Sequence, residues 1–286
     1  MQKMNCKKLY LLILLPILFL NLQAQNFKVA TYNVRLYNKS DEGNLWEERK
    51  AALTSLIRYH DWDVFGTQEG FAHQLNDITD ILPEYNRYGK DRDDGKEKGE
   101  HSAVYFKKDK FQLLDSGDFW LSETPEKPGL GWDATCCNRI CSWVFLKDKK
   151  SKKQFYFFSV HYDHQGKIAR RESSKLMLAK IKEIAKNMPV ILVGDFNADR
   201  DSEPYKILAT STSIRDSYNE VTHPYENNTS FNNFGKSVAG NNVIDHIFIT
   251  RQWKASKWGI LTDTYHGKYP SDHFPVEAVL EIIKKK

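Results

Sequence analysis

Apolar residues gather into short runs of strand length at 27–34, 64–67, 101–106, 111–114, 140–146, 155–160, 190–193, 243–249 and 276–283. Between several of them the period lengthens to that of a helix. Residues 44–59 are amphipathic, with Asn44 and Glu47 at capping-box spacing. A second helix is predicted at 71–82, and a long one at 168–186 carries Met177, Ile181 and Ile184 on one face. A shorter one follows near 204–209. Strands that follow one another directly, mixed with long helices, favour two sheets packed face to face with helices outside. No low-complexity stretch, linker or short repeat interrupts the pattern, so residues 25–286 read as one domain. The lysine-rich run 147–153 reads as the solvated tip of a hairpin.

The first residues do not fit that fold. Lys3, Lys7 and Lys8 precede an apolar run from Leu9 to Leu22, and Ala24 offers a small residue at a cleavage point. Residues 1–24 therefore read as a secretory signal peptide, and the chain is expected to be exported to the periplasm or secreted. No later stretch is apolar enough to span a bilayer. The segment carries three lysines and no acid, so its removal turns 42 Lys+Arg against 37 Asp+Glu into 39 against 37. A protein that grips nucleic acid along its backbone shows a strong basic excess, which this balance lacks. Three cysteines remain, clustered at Cys136, Cys137 and Cys141, which is no disulfide framework. Cys137 and Cys141 are read as packing residues, with a local disulfide left open.

Polar clusters recur where the strands stop. They are Thr31-Tyr32-Asn33-Val34-Arg35, Gln68-Glu69, His161-Tyr162-Asp163-His164 and Gly194-Asp195-Phe196-Asn197. Asp245-His246 lies within a strand, and Ser271-Asp272-His273 precedes the last one. Turns alone explain any single cluster. Together they supply the acids, amides and imidazoles of metal-assisted attack on a phosphate. The ester is anionic, so its cleavage needs a hard cation and neutral or cationic donors around the non-bridging oxygens. Mg²⁺ is satisfied by one or two carboxylates and keeps several waters. An Asp beside an Asn holds and deprotonates a water, and a buried Asp fixes the tautomer of a catalytic His.

The order of these motifs resembles the endonuclease/exonuclease/phosphatase superfamily, which includes deoxyribonuclease I-like nucleases and inositol polyphosphate 5-phosphatases. The resemblance runs over nearly the whole chain after residue 27 and implies a four-layer α/β/β/α sandwich of two mixed sheets flanked by helices. It implies Glu69 as the main Mg²⁺ ligand, with Mn²⁺ an alternative, and Asp272 completing the carboxylates around the metal. Asn33 would lie beside metal and phosphate, and His161 would donate to a phosphate oxygen. Asp195 and Asn197 would handle the water, and Asp245 would pair with a cationic His273.

Several nucleases of the superfamily carry an acid two residues after the first asparagine. Arg35 stands there and faces phosphate more readily than metal, which favours one ion. The middle of the chain is similar to secreted bacterial members, and Arg92, Trp120, Arg139 and Tyr162 are candidates for the pocket wall alongside Arg35. The expected activity is metal-dependent hydrolysis of a phosphomono- or phosphodiester of a small molecule, sugar or lipid headgroup, by a monomer. A nuclease and a catalytically silent binding module are the alternatives.

Overall fold

Phe27 and Val29 leave the first strand on one side and Ala30 and Tyr32 on the other, and all four are buried. A strand covered on both faces belongs inside a layered fold. The computed structural model describes residues 26–226, 228–238, 240 and 242–283, so the predicted export segment lies outside the described residues. The elements are β1 (Asn26–Asn33), α1 (Trp46–His60), β2 (Val64–Gln68), α2 (Ala72–Ile81), β3 (Tyr85–Tyr88), β4 (Val104–Lys107) and β5 (Phe111–Trp120). They continue with β6 (Ile140–Asp148), β7 (Gln154–His161), α3 (Lys167–Ala185), β8 (Val190–Asp195), α4 (Glu203–Ala209), β9 (Arg215–Asp216), β10 (Asp245–Ile249), β11 (Trp253–Ile260) and β12 (Val276–Ile282).

Two six-stranded sheets result, ordered β11-β12-β1-β2-β4-β3 and β5-β6-β7-β8-β10-β9. Each has one parallel pair, β1 with β2 and β7 with β8, joined by a helical crossover; the other pairs are antiparallel. Phe27, Val64, Phe106, Phe157, Val193, Ile247 and Leu280 fill the space between the sheets. Trp46, Leu53, Ile57 and Ile78 of α1 and α2 cover the first sheet, and Met177, Ile181 and Leu208 of α3 and α4 cover the second. The expected α/β/β/α sandwich is present. Among the described residues no helix is long and apolar enough to cross a membrane.

Several boundaries differ from the sequence reading. Helix α1 begins one residue later, with Leu45 at the N-cap and its N–H donating to Glu48 Oε2 at 2.9 Å, so only half of a capping box forms, at Leu45 and Glu48 rather than Asn44 and Glu47. The strand expected at 101–106 starts only at Val104, because His101 turns aside to bond Gly70 O through its backbone N (3.0 Å) and its ring Nδ1 (3.1 Å). Strand β11 was not expected, since a bulge between Ala255 and Lys257 breaks the alternation. The open question over Cys137 and Cys141 is resolved otherwise. Cys136 bonds to Cys137, while Cys141 is a free thiol that β6 holds in the layer beneath α3.

The C-terminal end of α1 provides a test of the electrostatics. His60 Nε2 lies 3.4 Å from Asp263 Oδ2 and Nδ1 lies 3.6 Å from Glu277 Oε2. Those carboxylates, Asp263 foremost, push its pKa from 6.5 up to about 9 against its partial burial. A raised folded-state pKa gives stabilisation that is full below 6.5 and is lost as pH rises through about 9. The melting temperature should therefore fall across that interval, and fall less in His60→Gln. Equal declines in both proteins would remove His60 as the cause.

Candidate active site

Strand register gathers the polar clusters. In the first sheet Asn33 pairs with Gln68, which places Asn33 and Glu69 together at the ends of β1 and β2. In the second, Asp195 of β8 pairs with His161 of β7 on one side and Asp245 of β10 on the other, making one row across three strands. The turn before β12 delivers Asp272 and His273 to the same end of the sandwich, tied down by Ser271 Oγ donating to Asn33 O at 2.6 Å. The backbone is bent for the purpose, since Arg35, Glu69 and Asn197 all have positive φ, at 56°, 66° and 47°. Gly194 is required as well, because a Cβ there would collide with the Val160 carbonyl.

Asn33 is the hub. Its Oδ1 accepts from Arg35 N at 3.0 Å, which fixes the amide so that Nδ2 donates to Glu69 Oε1 (3.0 Å) and Asp195 Oδ2 (3.1 Å). Glu69 Oε2 accepts from Leu36 N at 3.1 Å. Asp195 Oδ1 accepts from Asn197 N at 2.9 Å, and Asn197 Nδ2 donates to Tyr162 O at 3.0 Å. His273 Nδ1 lies 2.9 Å from Asp245 Oδ2, while Nε2 faces Asp195 Oδ2 at 3.7 Å. His161 Nε2 reaches the same oxygen at 3.5 Å.

The charge states follow from this packing. Burial works against a cation at His273, yet Asp245, through charge and hydrogen bond, pushes its pKa up to about 10. It is an imidazolium at neutral pH, and Nδ1–H donates to Asp245. Burial, reinforced by the Arg139 and Arg92 charges, holds His161 well below the usual range, so that ring is neutral. Burial and the Asp245 charge raise Asp195 to about 7, and burial raises Asp272 to about 6. Burial resists ionisation of Glu69 too, but the Asn33 hydrogen bond and the His273 charge prevail and its pKa is lowered.

Glu69, His161, Asp195, Asn197, Asp272 and His273 line one cavity of about 540 Å³ together with Arg35, Arg92, Arg139, Glu100 and His164, while the fully buried Asn33 lies behind its wall. Asp245 stands behind His273. Arg35 pairs with Asp41 through Nε (2.8 Å) and Nη2 (3.1 Å), and its Nη1 lies 3.6 Å from Asp272 Oδ2 and 3.9 Å from Glu69 Oε2. Two expected wall residues are corrected to packing residues. Trp120 lies under the preceding loop, its Nε1 donating to Arg92 O at 2.7 Å, and the fully buried Tyr162 packs edge-on against Phe196. Neither lines the cavity. His246 is also structural, with Nε2 2.9 Å from Ala198 O beneath Tyr205.

The sequence reading missed Glu100, His164 and Arg49. His164 stood inside a quoted cluster, three residues after His161. Arg49 is buried on the face of α1 that carries Leu53 and Leu56, and it holds the carbonyls of Val34, Arg35 and Pro270 at 2.6, 2.7 and 3.2 Å. A charged residue on a helix's apolar stripe was the available signal.

The donor set fits a hard divalent cation. Glu69, His161 and Asp195 offer ligand atoms within 4.8 Å of one another, and Asp272 adds a further carboxylate at the cavity. Asp245 Oδ1 is buried without a partner beside them. Carboxylate oxygens dominate and no thiolate intrudes, which suits Mg²⁺ or Mn²⁺ rather than a soft metal. A base-grade carboxylate, an imidazolium and a neutral imidazole converging on one metal-competent cavity define a phosphoesterase-type hydrolase.

Comparison with known proteins agrees. The model of the Endonuclease/Exonuclease/phosphatase family matches residues 30–273, and the chain belongs to that family of metal-dependent phosphoester hydrolases. A mannosyl-6-phosphatase of Bacteroides thetaiotaomicron VPI-5482 is 45% identical, with a TM-score of 0.86 over 89% of this chain and 99% of that one. An endonuclease/exonuclease/phosphatase family protein of Bacteroides thetaiotaomicron is 44% identical, with a TM-score of 0.88 over 91% of this chain and 96% of that one. The human Nocturnin catalytic domain, with bound sulfate, shares the fold at a TM-score of 0.72 and 18% identity, over 90% and 95% of the two chains.

Proposed function

We propose that the chain is an exported, Mg²⁺-dependent phosphomonoesterase that releases phosphate from the primary hydroxyl of a sugar. The observation that carries this reading is the cavity itself. At about 540 Å³ it has room for a monosaccharide phosphate, and beside the catalytic cluster it is lined by the polar side chains of Arg92, Glu100, Arg139 and His164. Similarity to a mannosyl-6-phosphatase supports the sugar, and the small mature charge argues against a duplex. Residues 1–24 support export, and the Cys136–Cys137 bond suits an oxidising compartment.

In this reading Glu69 and Asp272 hold the ion, which when bound neutralises phosphate charge and so assists attack. Asp195 takes a proton from the attacking water; a pKa of about 7 suits a base working near neutrality. Asn197 has committed Nδ2 to Tyr162 O, so Oδ1 is left as an acceptor and orients the water's proton rather than a phosphate oxygen. His273, charged and locked by Asp245, donates from Nε2 to the oxygens that gain charge in the transition state, and neutral His161 donates alongside it.

The test is a screen of the chain recovered from the periplasmic fraction, whose intact mass should place the first residue at or near Gln25. Mannose 6-phosphate, glucose 6-phosphate, p-nitrophenyl phosphate, its bis-ester and plasmid DNA would be offered with Mg²⁺ and with EDTA. Sugar phosphates should be hydrolysed, with a loss of at least about a hundredfold in EDTA that Mg²⁺ or Mn²⁺ restores. Turnover confined to the bis-ester or DNA would overturn the monoesterase reading. Indifference to EDTA would overturn the metal, and an uncleaved cytoplasmic chain would overturn export.

A further inference from the structure

Beside the catalytic cluster the cavity is lined by paired charges with spare hydrogen-bonding atoms. Arg92 grips Glu100 with both Nη atoms, at 2.7 and 2.6 Å, and its Nε is buried with no hydrogen-bond partner, Asp93 Oδ1 standing 3.9 Å away. Arg139 is only 5% exposed. Its Nη2 is 2.7 Å from His164 Nδ1, while Nη1 and Nε have no hydrogen-bond partner; the nearest acid, Asp163 Oδ2, stands 3.6 Å from Nε and is itself unpartnered. Burial and the Arg139 charge lower the His164 pKa, so the ring is neutral. Nδ1 therefore accepts from Arg139, and the proton sits on Nε2.

Two features decide what such a wall holds. Both guanidiniums already face an acid, Arg92 facing Glu100, whose pKa burial and the Glu69 charge raise to about 7, and Arg139 facing Asp163, so little charge remains for a second anion. Directional groups do remain, namely guanidinium N–H at Arg139, N–H at His164 Nε2 and carboxylate lone pairs at Glu100. Buried donors and acceptors left unmatched are costly, and hydroxyl groups, which donate and accept at once, match both kinds.

We propose that Glu100, Arg139 and His164 form a leaving-group subsite that recognises the hydroxyls of a neutral polyol, a sugar ring, separately from the phosphate. The inference deepens the sugar-phosphatase reading and rests on it for the identity of the ester. Glu100 accepts from one ring hydroxyl and the Arg139 and His164 N–H groups donate to others. The conserved shape of Glu100→Gln removes the charge but not the volume, and His164→Phe removes the donor without touching Arg139's own side chain.

The experiment compares wild type, Glu100→Gln, His164→Phe and Arg139→Lys on mannose 6-phosphate and on p-nitrophenyl phosphate, whose leaving group has no hydroxyl ring. It also measures inhibition of p-nitrophenyl phosphate turnover by free mannose. The ratio of kcat/KM for sugar over aryl ester should fall about tenfold or more in Glu100→Gln, mostly through KM, and the mannose inhibition constant should rise in step. Equal losses on both esters, or mannose inhibition unchanged in every variant, would overturn the subsite. Mannose inhibition serves as the separate readout. If wild type ignores sugar phosphates yet is inhibited by mannose through these residues, the proposed function fails while the subsite stands.

Discussion

Asp195→Asn is expected to lower kcat by about 10³-fold or more with little change in KM, and at the same time to raise the melting temperature of the metal-free protein. The first effect follows from position: Asp195 is the carboxylate between Asn197, His161 and His273, and an amide accepts no proton from water. The second follows from its environment. Burial and the Asp245 charge lift its pKa from 3.8 to about 7. The fold therefore keeps a proton that the unfolded chain has already released, and stability falls as pH climbs from 3.8 towards 7. Above that range the ionised group costs the metal-free fold about 2–4 kcal/mol. An amide of the same shape removes the charge and gives back about 1 kcal/mol, because one of its two polar atoms must face a donor such as Asn33 Nδ2. The net gain is about 5 °C at pH 8 for a domain of this size. Enzyme assays and calorimetry in EDTA read both effects. A rate loss under tenfold would take Asp195 out of the chemistry, and a lower metal-free melting temperature would show that its charge is not strained.

That conflict between stability and function explains what the sequence made legible. Asn33, Glu69, His161, Asp195 and Asp272 stand where apolar strands stop or turn, so they show as polar breaks in an apolar pattern. The sandwich was legible for the same reason, since its central strands β2, β8 and β10 are buried on both faces and carry strong signals. Glu100 lies on an irregular loop, and only tertiary structure brings it to the cavity. Trp120 and Tyr162 were misplaced because aromatic residues near a site serve equally well as packing. Cys137 and Cys141 are four positions apart, yet β6 fixes Cys141 opposite Val160 and beneath α3, so nearness in sequence is not nearness in space. In strand β11 the bulge leaves Ser256 and Lys257 exposed in succession, which erases the period that would have revealed it.

Glu69→Gln should remove the response to metal rather than merely slow the enzyme. Wild type should gain about 2.7 kcal/mol at a metal concentration a hundred times the dissociation constant. That is a rise of about 5–10 °C in melting temperature. Glu69 is the acid whose charge the fold protects, since Asn33, His273 and Arg35 together lower its pKa despite burial. Asp272 differs, with a pKa of about 6 and Arg35 Nη1 3.6 Å from its Oδ2. The Arg35 guanidinium therefore competes with any cation for the Asp272 carboxylate, and the proposed function rests the ion chiefly on Glu69. Glu69→Gln should abolish the Mg²⁺- and Mn²⁺-induced shift and cut kcat/KM by about 10³-fold at fixed metal, whereas Asp272→Asn should retain part of both. A full metal-induced shift in Glu69→Gln would assign the ion to the Asp195–His161 side of the cavity. Partial activity regained by raising the metal concentration would instead fit a weakened site held by Asp272 alone.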